Sequence, residues 1–533
     1  MSHFSAKFCV YVVVPLLICV SLTAAQTLVN IPGLGSLQGT TSQSYFTKRT
    51  IYEFKGIPFA ERPVRFMPPE KKTPWNGVLN ATSFGRACPQ ISMVNTTPEG
   101  DLEDCLFLNV YSPKVNNASK LPVLFYIHGG GFSAGSSQDV APGFFLEHDI
   151  VIVAPQYRLG PLGFLSLGTQ SVGGNAAMYD QLMALQWTYD NIEHFGGNPD
   201  MITVAGVSAG AASAAVQYVS PLTQDLIKQV LLFSGTAVAF WAVGTEPVTD
   251  SLLIAKYAGC DPAGDVQACL KSLDPLTIVK AYDQYQSAER TQARSGMGGS
   301  NPMVDGLFLT EMPLETMSKP DFKGRPMIMS VVKHEGQFLE DVLYQYYLKG
   351  NNLTDSFTEL KYNIPDVLLS YTDMKDLAYT IGTAIKDEYF KPQEFGNYTA
   401  MKAGITDFLG SAYFKGPARK MAELNNMRGG TTYLSTFNYN SPGFGMDGVI
   451  AHGRDQAMIF PFEWFSYTEE DLLVIRNMTA MYAQFISTGT PSGVSWKPYS
   501  LESDEYLIID TTMTMNSPFE QQYTIAEQEG LYK

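Results

Sequence analysis

The chain has 533 residues, of which 45% are hydrophobic, and a formal net charge of −16 at pH 7. So acidic a protein is poorly suited to bind nucleic acid or an anionic membrane surface, because both carry negative charge. Its length allows a large core, and short apolar runs alternate with helical patterns almost to the end of the chain, which predicts one large α/β domain.

The first 25 residues have the pattern of a secretory signal peptide. A positive charge at Lys7 precedes an apolar run over residues 8–22, and small residues follow at positions 23–25. We therefore predict cleavage near Ala25, a domain over residues 26–533 and a secreted, extracellular protein without a membrane anchor. An uncleaved N-terminal anchor is the alternative.

Two of the six cysteines fall in this leader, and the other four form two local pairs. Cys88 lies near Cys105, and Cys260 lies near Cys269. In an oxidising compartment each pair is expected to form a disulfide. Free buried thiols or a metal cluster are the alternative, but the sequence has no Cys-x-x-Cys or His-x-x-x-His spacing that would favour zinc. We expect no metal and no organic cofactor.

The sequence also contains six N-glycosylation sequons, which fit a secreted protein. Their acceptor residues are Asn80, Asn95, Asn117, Asn352, Asn397 and Asn477.

A glycine-rich segment follows a predicted central strand. Residues 123–127 are apolar and run through His128 into three glycines. Without side chains, Gly130 and Gly131 can present bare N–H groups to an oxyanion, with the N–H of Ala209 as a third donor. A flexible loop with no such role is the alternative.

A serine on a sharp turn is the strongest single motif. Residues 202–205 are short and apolar, as in a buried strand, and residues 209–219 are small and alanine-rich, as in a close-packed helix. Between them, Gly206 and Gly210 flank Ser208 and leave room for close packing. The pattern predicts a serine whose Oγ is exposed between a strand and a helix, in the position of a nucleophile.

A serine nucleophile needs a base, and histidine has the appropriate pKa. The chain has six histidines, and His3 lies in the leader. His128 belongs to the glycine loop, while His148 and His194 precede the serine, so we expect structural roles for these three. Of the remaining two, His334 and His452, it is His452 that fits the chain order serine, acid, histidine found with such serine turns.

The acid is expected between the serine and this histidine. Residues 326–332 predict a strand, and Glu335 follows it directly, before a glycine. A carboxylate there would orient the imidazole and stabilise its charged form. Asp305 is the competing candidate, but its surroundings favour a turn residue.

These motifs together resemble the type-B carboxylesterases and cholinesterases of the α/β-hydrolase superfamily. The similarity covers nearly all of the mature chain and includes further matches at residues 54–60, 103–113, 157–160, 174–176, 180–182 and 184–187. The resemblance implies a single α/β-hydrolase domain, with a large, twisted, mostly parallel central sheet flanked by helices and a gorge above the serine. It places Ser208, Glu335 and His452 at the triad positions. It also places Gly130, Gly131 and Ala209 at the oxyanion hole and both cysteine pairs at family disulfides.

Two departures from the family pattern bear on function. No tryptophan lies between Cys88 and Cys105, where cholinesterases carry one that binds a quaternary ammonium, so choline esters are poor candidates. Position 207 is valine where active members carry glutamate or glutamine, which makes the pocket more apolar and could lower turnover.

We therefore expect a secreted serine carboxylesterase that acts on small, uncharged and fairly apolar esters. The alternative is a weakly active or inactive member that binds a protein partner through its acidic surface, as the related adhesion proteins neurotactin and glutactin do. Intact triad positions favour the enzyme, and Val207 keeps the alternative open.

Overall fold

The structure is a computed structural model that describes residues 27–372, 385–444, 448–462, 464–493 and 495–519. The predicted signal peptide and its cleavage site lie outside these residues. Within them, no helix is both long enough and apolar enough to cross a membrane.

An eleven-stranded sheet forms the centre of the fold. In the described residues the strands are β1 (Leu28–Ile31), β2 (Gly35–Gln38), β3 (Thr40–Gln43), β4 (Thr50–Pro58), β5 (Val78–Asn80), β6 (Phe107–Ser112), β7 (Leu121–Ile127), β8 (Val151–Pro155), β9 (Ser166–Thr169), β10 (Val172–Gly173), β11 (Gly197–Val207), β12 (Gln229–Phe233), β13 (Met327–Val332), β14 (Thr432–Phe437), β15 (Tyr506–Ile509) and β16 (Thr514–Asn516). The order in the central sheet is β16-β15-β14-β13-β12-β11-β7-β8-β6-β4-β3. Neighbours from β8 through β7 and β11 to β15 are parallel, and the strands at both edges are antiparallel. Two small sheets, β1-β2-β5 and β9-β10, lie outside it.

Helices pack on both faces of this sheet. In the described residues they are α1 (Gly160–Phe164), α2 (Ala176–Asn191), α3 (Ala209–Val219), α4 (Pro247–Tyr257), α5 (Val266–Ser272), α6 (Pro275–Thr291), α7 (Pro313–Ser318), α8 (Gln337–Val342), α9 (Ile364–Tyr371), α10 (Tyr398–Gly410), α11 (Gly416–Met427) and α12 (Glu469–Thr488). Short π-helical segments lie at Leu343–Lys349, Glu359–Asn363 and Ser411–Lys415.

The central strands are apolar without alternation because both of their faces are covered. Successive residues of a strand point to opposite faces. Val204 of β11 packs in one core cluster with Ala211 of α3, and its neighbour Ala205 packs in the other with Val474 of α12. This confirms the predicted α/β class with a large, mostly parallel sheet between helices.

The sheet brings four predicted segments to one edge. Ser208 follows β11, the glycine loop follows β7 and Glu335 follows β13, while the loop that carries His452 leaves β14. These strands are parallel, so their carboxyl ends meet at the same edge, where ligands bind in α/β sheets. The predicted strands begin or end within a few residues of the observed ones, and α3 has the predicted bounds.

Both predicted disulfides are formed. Cys88 is bonded to Cys105, with their Cα atoms 5.1 Å apart, and Cys260 is bonded to Cys269, with theirs 5.8 Å apart. The six sequon asparagines are all exposed.

A buried ion pair joins the loop after β8 to α2. The guanidinium of Arg158 donates to both carboxylate oxygens of Asp180, at 2.7 and 2.6 Å, and the Arg158 backbone N–H donates to the same group at 3.1 Å. The two side chains are 3% and 0% exposed. Breaking such a pair leaves a charge buried without compensation.

We expect Asp180→Asn to lower the free energy of unfolding by about 3–5 kcal/mol, measured by urea unfolding. The matched control is Asp190→Asn, which breaks a solvent-exposed pair with Lys71 at 3.4 Å. The control should cost less than about 1 kcal/mol, because water screens the exposed pair. Equal losses in the two variants would contradict the prediction.

Candidate active site

Ser208 lies in a strained turn between β11 and α3. Its φ is +56° and its ψ is −125°, which is unusual for a residue with a side chain. Its N–H donates to the carbonyl of Phe233 at 2.8 Å, and its carbonyl accepts from the N–H of Ala212 at 2.9 Å. These bonds to β12 and to α3 hold the turn from both sides.

The two glycines of the motif are required by close packing. A Cβ on Gly206 would lie 2.4 Å from the carbonyl carbon of Gly210, and a Cβ on Gly210 would lie 2.2 Å from the carbonyl oxygen of Ile127. Both distances are well inside van der Waals contact. Only glycine at these positions lets α3 begin this close to the ends of β7 and β11.

Glu335 and His452 are joined by a hydrogen bond. Nδ1 of His452 lies 2.6 Å from Oε2 of Glu335, whose side chain is fully buried. The other carboxylate oxygen accepts from the backbone N–H of Val332 at 2.9 Å. The carboxylate is thus fixed at both oxygens, and it fixes the imidazole in turn.

Two aromatic rings hold the imidazole of His452. The Phe338 ring centroid lies 4.8 Å from the imidazole centroid, and that of Phe414 lies 4.6 Å from it. Neither ring was assigned this role from the sequence, because Phe338 follows β13 and Phe414 follows α10, both far from His452 in the chain.

Ser208 and His452 are not joined by a hydrogen bond in this structure. Among the described residues, Nε2 of His452 is buried and has no hydrogen-bond partner. Ser208 and His452 nevertheless line the same cavity. In ligand-free enzymes the hydrogen bonds of catalysis are often long and tighten only when substrate binds.

The glycine loop faces the serine. A Cβ on Gly129 would lie 3.3 Å from the Cβ of Ser208, and Gly130 and Gly131 have φ of +112° and +58°. Both of these glycines line the cavity with Ser208. Ala209 is the first residue of α3, so its N–H has no partner within the helix.

The cavity has a volume of about 570 Å³ and mostly apolar walls. Val207 lines it beside Ser208, and aromatic and sulfur-containing side chains cover much of the rest. These include Trp241, Met297, Phe338, Phe414, Phe460 and Phe462. A larger cavity, of about 770 Å³, lies over α2, but none of the described residues that line it is a serine, cysteine or histidine.

The competing residues lie elsewhere or are otherwise engaged. Asp305 accepts from three backbone N–H groups, those of residues 307, 308 and 309, as a turn residue does.

His128 is buried and stacks on Tyr157, and burial lowers its pKa to about 4. His148 contacts the hydroxyl of Thr479 at 3.4 Å, and His194 lies in a short 3₁₀ turn. Neither of these two lines the cavity.

Asp455 is a second carboxyl group that sequence analysis missed. It is fully buried in the 3₁₀ turn Arg454–Met458, three residues after His452. Burial and, to a lesser extent, the negative charge of Glu335 raise the pKa of Asp455 to about 7, while Gln456 and His452 oppose the rise. Its spacing from His452 is the only sequence signal that could have identified it.

Within the described residues, no group of histidine, cysteine and carboxylate side chains is arranged to hold a metal.

The raised pKa of Asp455 predicts a pH-dependent stability. The folded-state pKa of about 7 exceeds the ordinary value of 3.8, so the native state binds the proton more tightly and loses stability as pH rises through this window. Asn has no proton to lose. Asp455→Asn should therefore gain stability over the wild type as the pH rises from about 4 to about 7, by a few kcal/mol in urea unfolding. A difference between the two proteins that does not change with pH would contradict this.

Comparison with known proteins places this geometry in a family. A sequence model of the carboxylesterase family matches residues 25–526. Acylcarnitine hydrolase of Mus musculus is 30% identical over 504 residues, which cover 89% of this chain and 86% of that protein. Acetylcholinesterase of Bungarus fasciatus is 31% identical, with coverages of 88% and 80%. Esterase FE4 of Myzus persicae is 30% identical, with coverages of 92% and 90%.

These matches extend over nearly the whole chain, and the observed sheet and helices agree with the fold that the sequence predicts. The chain therefore belongs to the carboxylesterase family, and it is a carboxylic ester hydrolase with the α/β-hydrolase fold.

Proposed function

We propose that this protein hydrolyses esters through an acyl-enzyme formed on Ser208, with His452 as general base and acid and Glu335 as the group that orients His452. The observation that carries the proposal is the 2.6 Å bond between Glu335 and His452, at the cavity that Ser208 also lines. The strained turn at Ser208 supports it, because such turns expose Oγ above the sheet.

The chemistry needs only these side chains, the substrate and water. Oγ of Ser208 forms a bond to the ester carbonyl carbon as its proton passes to Nε2 of His452. The bond from carbon to the leaving oxygen then breaks, and the same proton goes to the departing alcohol. A water molecule then attacks the acyl carbon, and its proton passes to Nε2 of His452. The bond from carbon to Oγ of Ser208 breaks, His452 returns the proton to Oγ, and the carboxylic acid is released. Glu335 keeps its hydrogen bond to Nδ1 of His452 and stabilises the imidazolium in both steps.

Three backbone N–H groups are proposed to stabilise the tetrahedral oxyanion, namely those of Gly130, Gly131 and Ala209. The first two lie in the loop that faces Ser208, and the third begins α3, where the helix dipole also favours negative charge. In comparable hydrolases the loss of one such donor costs about 3–4 kcal/mol of transition-state stabilisation.

The cavity favours uncharged, fairly apolar small-molecule esters. Its walls are mostly aromatic and aliphatic, and Val207 removes the polar group that many relatives carry beside the nucleophile. Asp139 is its one lining carboxyl among the described residues, and burial raises the pKa of that group, which lowers its affinity for a cation. A cationic ester would lose its hydration here with little in return.

We also propose that the protein is secreted and glycosylated. Disulfides persist in oxidising compartments, and both cysteine pairs are bonded. The six sequon asparagines are accessible to a glycosyltransferase. The pattern of residues 1–25 supports the same conclusion.

A second candidate function is that of a weakly active binding protein. Two observations favour it, namely valine at position 207 and the open bond between Ser208 and His452. Under this candidate the acidic surface would bind a protein partner and turnover would be slow or absent.

We expect Ser208→Ala to fold normally and to lower kcat for a short-chain aryl ester by about 10³-fold or more. The side chain of alanine fits the same turn but supplies no nucleophile. Thermal unfolding and circular dichroism check the fold. An alanine variant that kept wild-type turnover would refute the proposed mechanism, and a wild-type protein without turnover would favour the binding-protein candidate.

The substrate class can be tested with a matched pair of esters. Acetylcholine and 3,3-dimethylbutyl acetate have nearly the same shape, but only the first carries a positive charge. We expect kcat/KM for the neutral ester to exceed that for the cationic one by about tenfold or more. The cation loses its hydration on entering the apolar cavity, and the cavity offers little to compensate that free-energy cost. A preference for acetylcholine would show that the cavity recognises a cation.

A further inference from the structure

The acid and the base of the proposed triad lie on separate loops. Glu335 follows β13 directly, whereas His452 lies in a long connection after β14. The 2.6 Å bond between them therefore depends on how these two loops are held against each other.

His334 makes that connection. Its backbone N–H donates to the carbonyl of Ile450 at 3.0 Å, and its ring Nδ1 accepts from the N–H of Ile450, also at 3.0 Å. One residue thus pairs with both backbone groups of Ile450, two residues before His452. The same contact forms an isolated parallel bridge between His334 and Ala451.

The acid side of the contact is itself firmly anchored. The N–H of Lys333 donates to the carbonyl of Phe437 at 3.1 Å, and the carbonyl of His334 accepts from Gln337 at 3.2 Å. A Cβ on Gly336 would lie 2.0 Å from the carbonyl of Thr406, so this turn also packs tightly on α10. His334 is therefore a fixed point against which the loop of His452 can be aligned.

We infer that His334 is a positioning residue for the esterase reaction, and that its ring Nδ1 sets the position of His452. This inference rests on the proposed function of Glu335 and His452. Because Nδ1 accepts a hydrogen bond from a backbone N–H, a neutral ring carries its proton on Nε2. Ile450 is buried, so loss of the acceptor would leave its N–H unpaired and the loop would shift to satisfy it.

A nearly isosteric pair of variants tests this inference. In His334→Asn, Oδ1 takes the place of Nδ1 and can accept from Ile450. In His334→Leu, the side chain has a similar shape but no acceptor. Steady-state kinetics with a neutral aryl ester would be measured for both variants, for the wild type and for Ser208→Ala, well below each protein's unfolding temperature.

We expect His334→Leu to lower kcat by about 10- to 100-fold with little change in KM, because misplacing a catalytic group slows chemistry more than it weakens binding. His334→Asn should restore kcat to within about threefold of the wild type. A purely structural role would lower the unfolding temperature of His334→Leu without this difference in kcat per folded molecule. If His334→Leu does not fold, His334→Ala, which also lacks an acceptor, takes its place with the same expected loss of kcat.

Two results would overturn the inference. Equal losses in both variants would mean that Nδ1 is not the important atom, and near wild-type kcat in both would mean that the contact does not position His452. Either result, with Ser208→Ala inactive, leaves the proposed function intact. A Ser208→Ala variant that retained activity would instead reject the proposed function itself.

Discussion

The backbone turn at Ser208 is the constraint on which the rest of the site depends. A non-glycine residue at φ +56° and ψ −125° costs on the order of 1–3 kcal/mol, so the surrounding structure must hold it. It does so through hydrogen bonds to Phe233 and Ala212 and through glycines at positions 206 and 210. The parallel sheet supplies the rigid frame, because β7, β11 and β12 end side by side beneath the turn.

Charge balance below the cavity is the second feature that shapes this site. Glu335 and Asp455 are both fully buried, and both the charge of Glu335 and the imidazole of His452 act on Asp455. Glu335 has the hydrogen bonds that stabilise its charge, from Val332 and His452. Burial and the charge of Glu335 instead raise the pKa of Asp455 to about 7. Two carboxyl groups thus share one buried region, and the charge of Glu335 helps to keep the pKa of Asp455 above its ordinary value.

The sequence predicted the frame of the molecule well, because the signals involved are local. Apolar runs such as residues 123–127 fall within strands that are covered on both faces. The glycines around Ser208 mark close approaches that only glycine allows, and the cysteine pairs lie near each other along the chain. The resemblance to carboxylesterases, carried by several ordered motifs, gave the fold and the reaction class that the comparisons confirm.

What the sequence did not predict depends on contacts between distant segments. Phe414 packs against His452, and His334 binds Ile450, across loops that are far apart in the chain. His334 was considered only as an alternative base, since a sequence cannot show that its ring accepts a backbone N–H. The open bond between Ser208 and His452 is a matter of a side-chain position, which no pattern of residue types encodes.

The central claim is that Ser208 is a working nucleophile activated by His452. The most direct measurement treats the purified protein with a fluorophosphonate and maps the adduct by mass spectrometry. The account predicts one phosphonyl group per chain, on Ser208, and loss of labelling in His452→Ala. A folded protein that formed no adduct, or that was labelled at another residue, would contradict it.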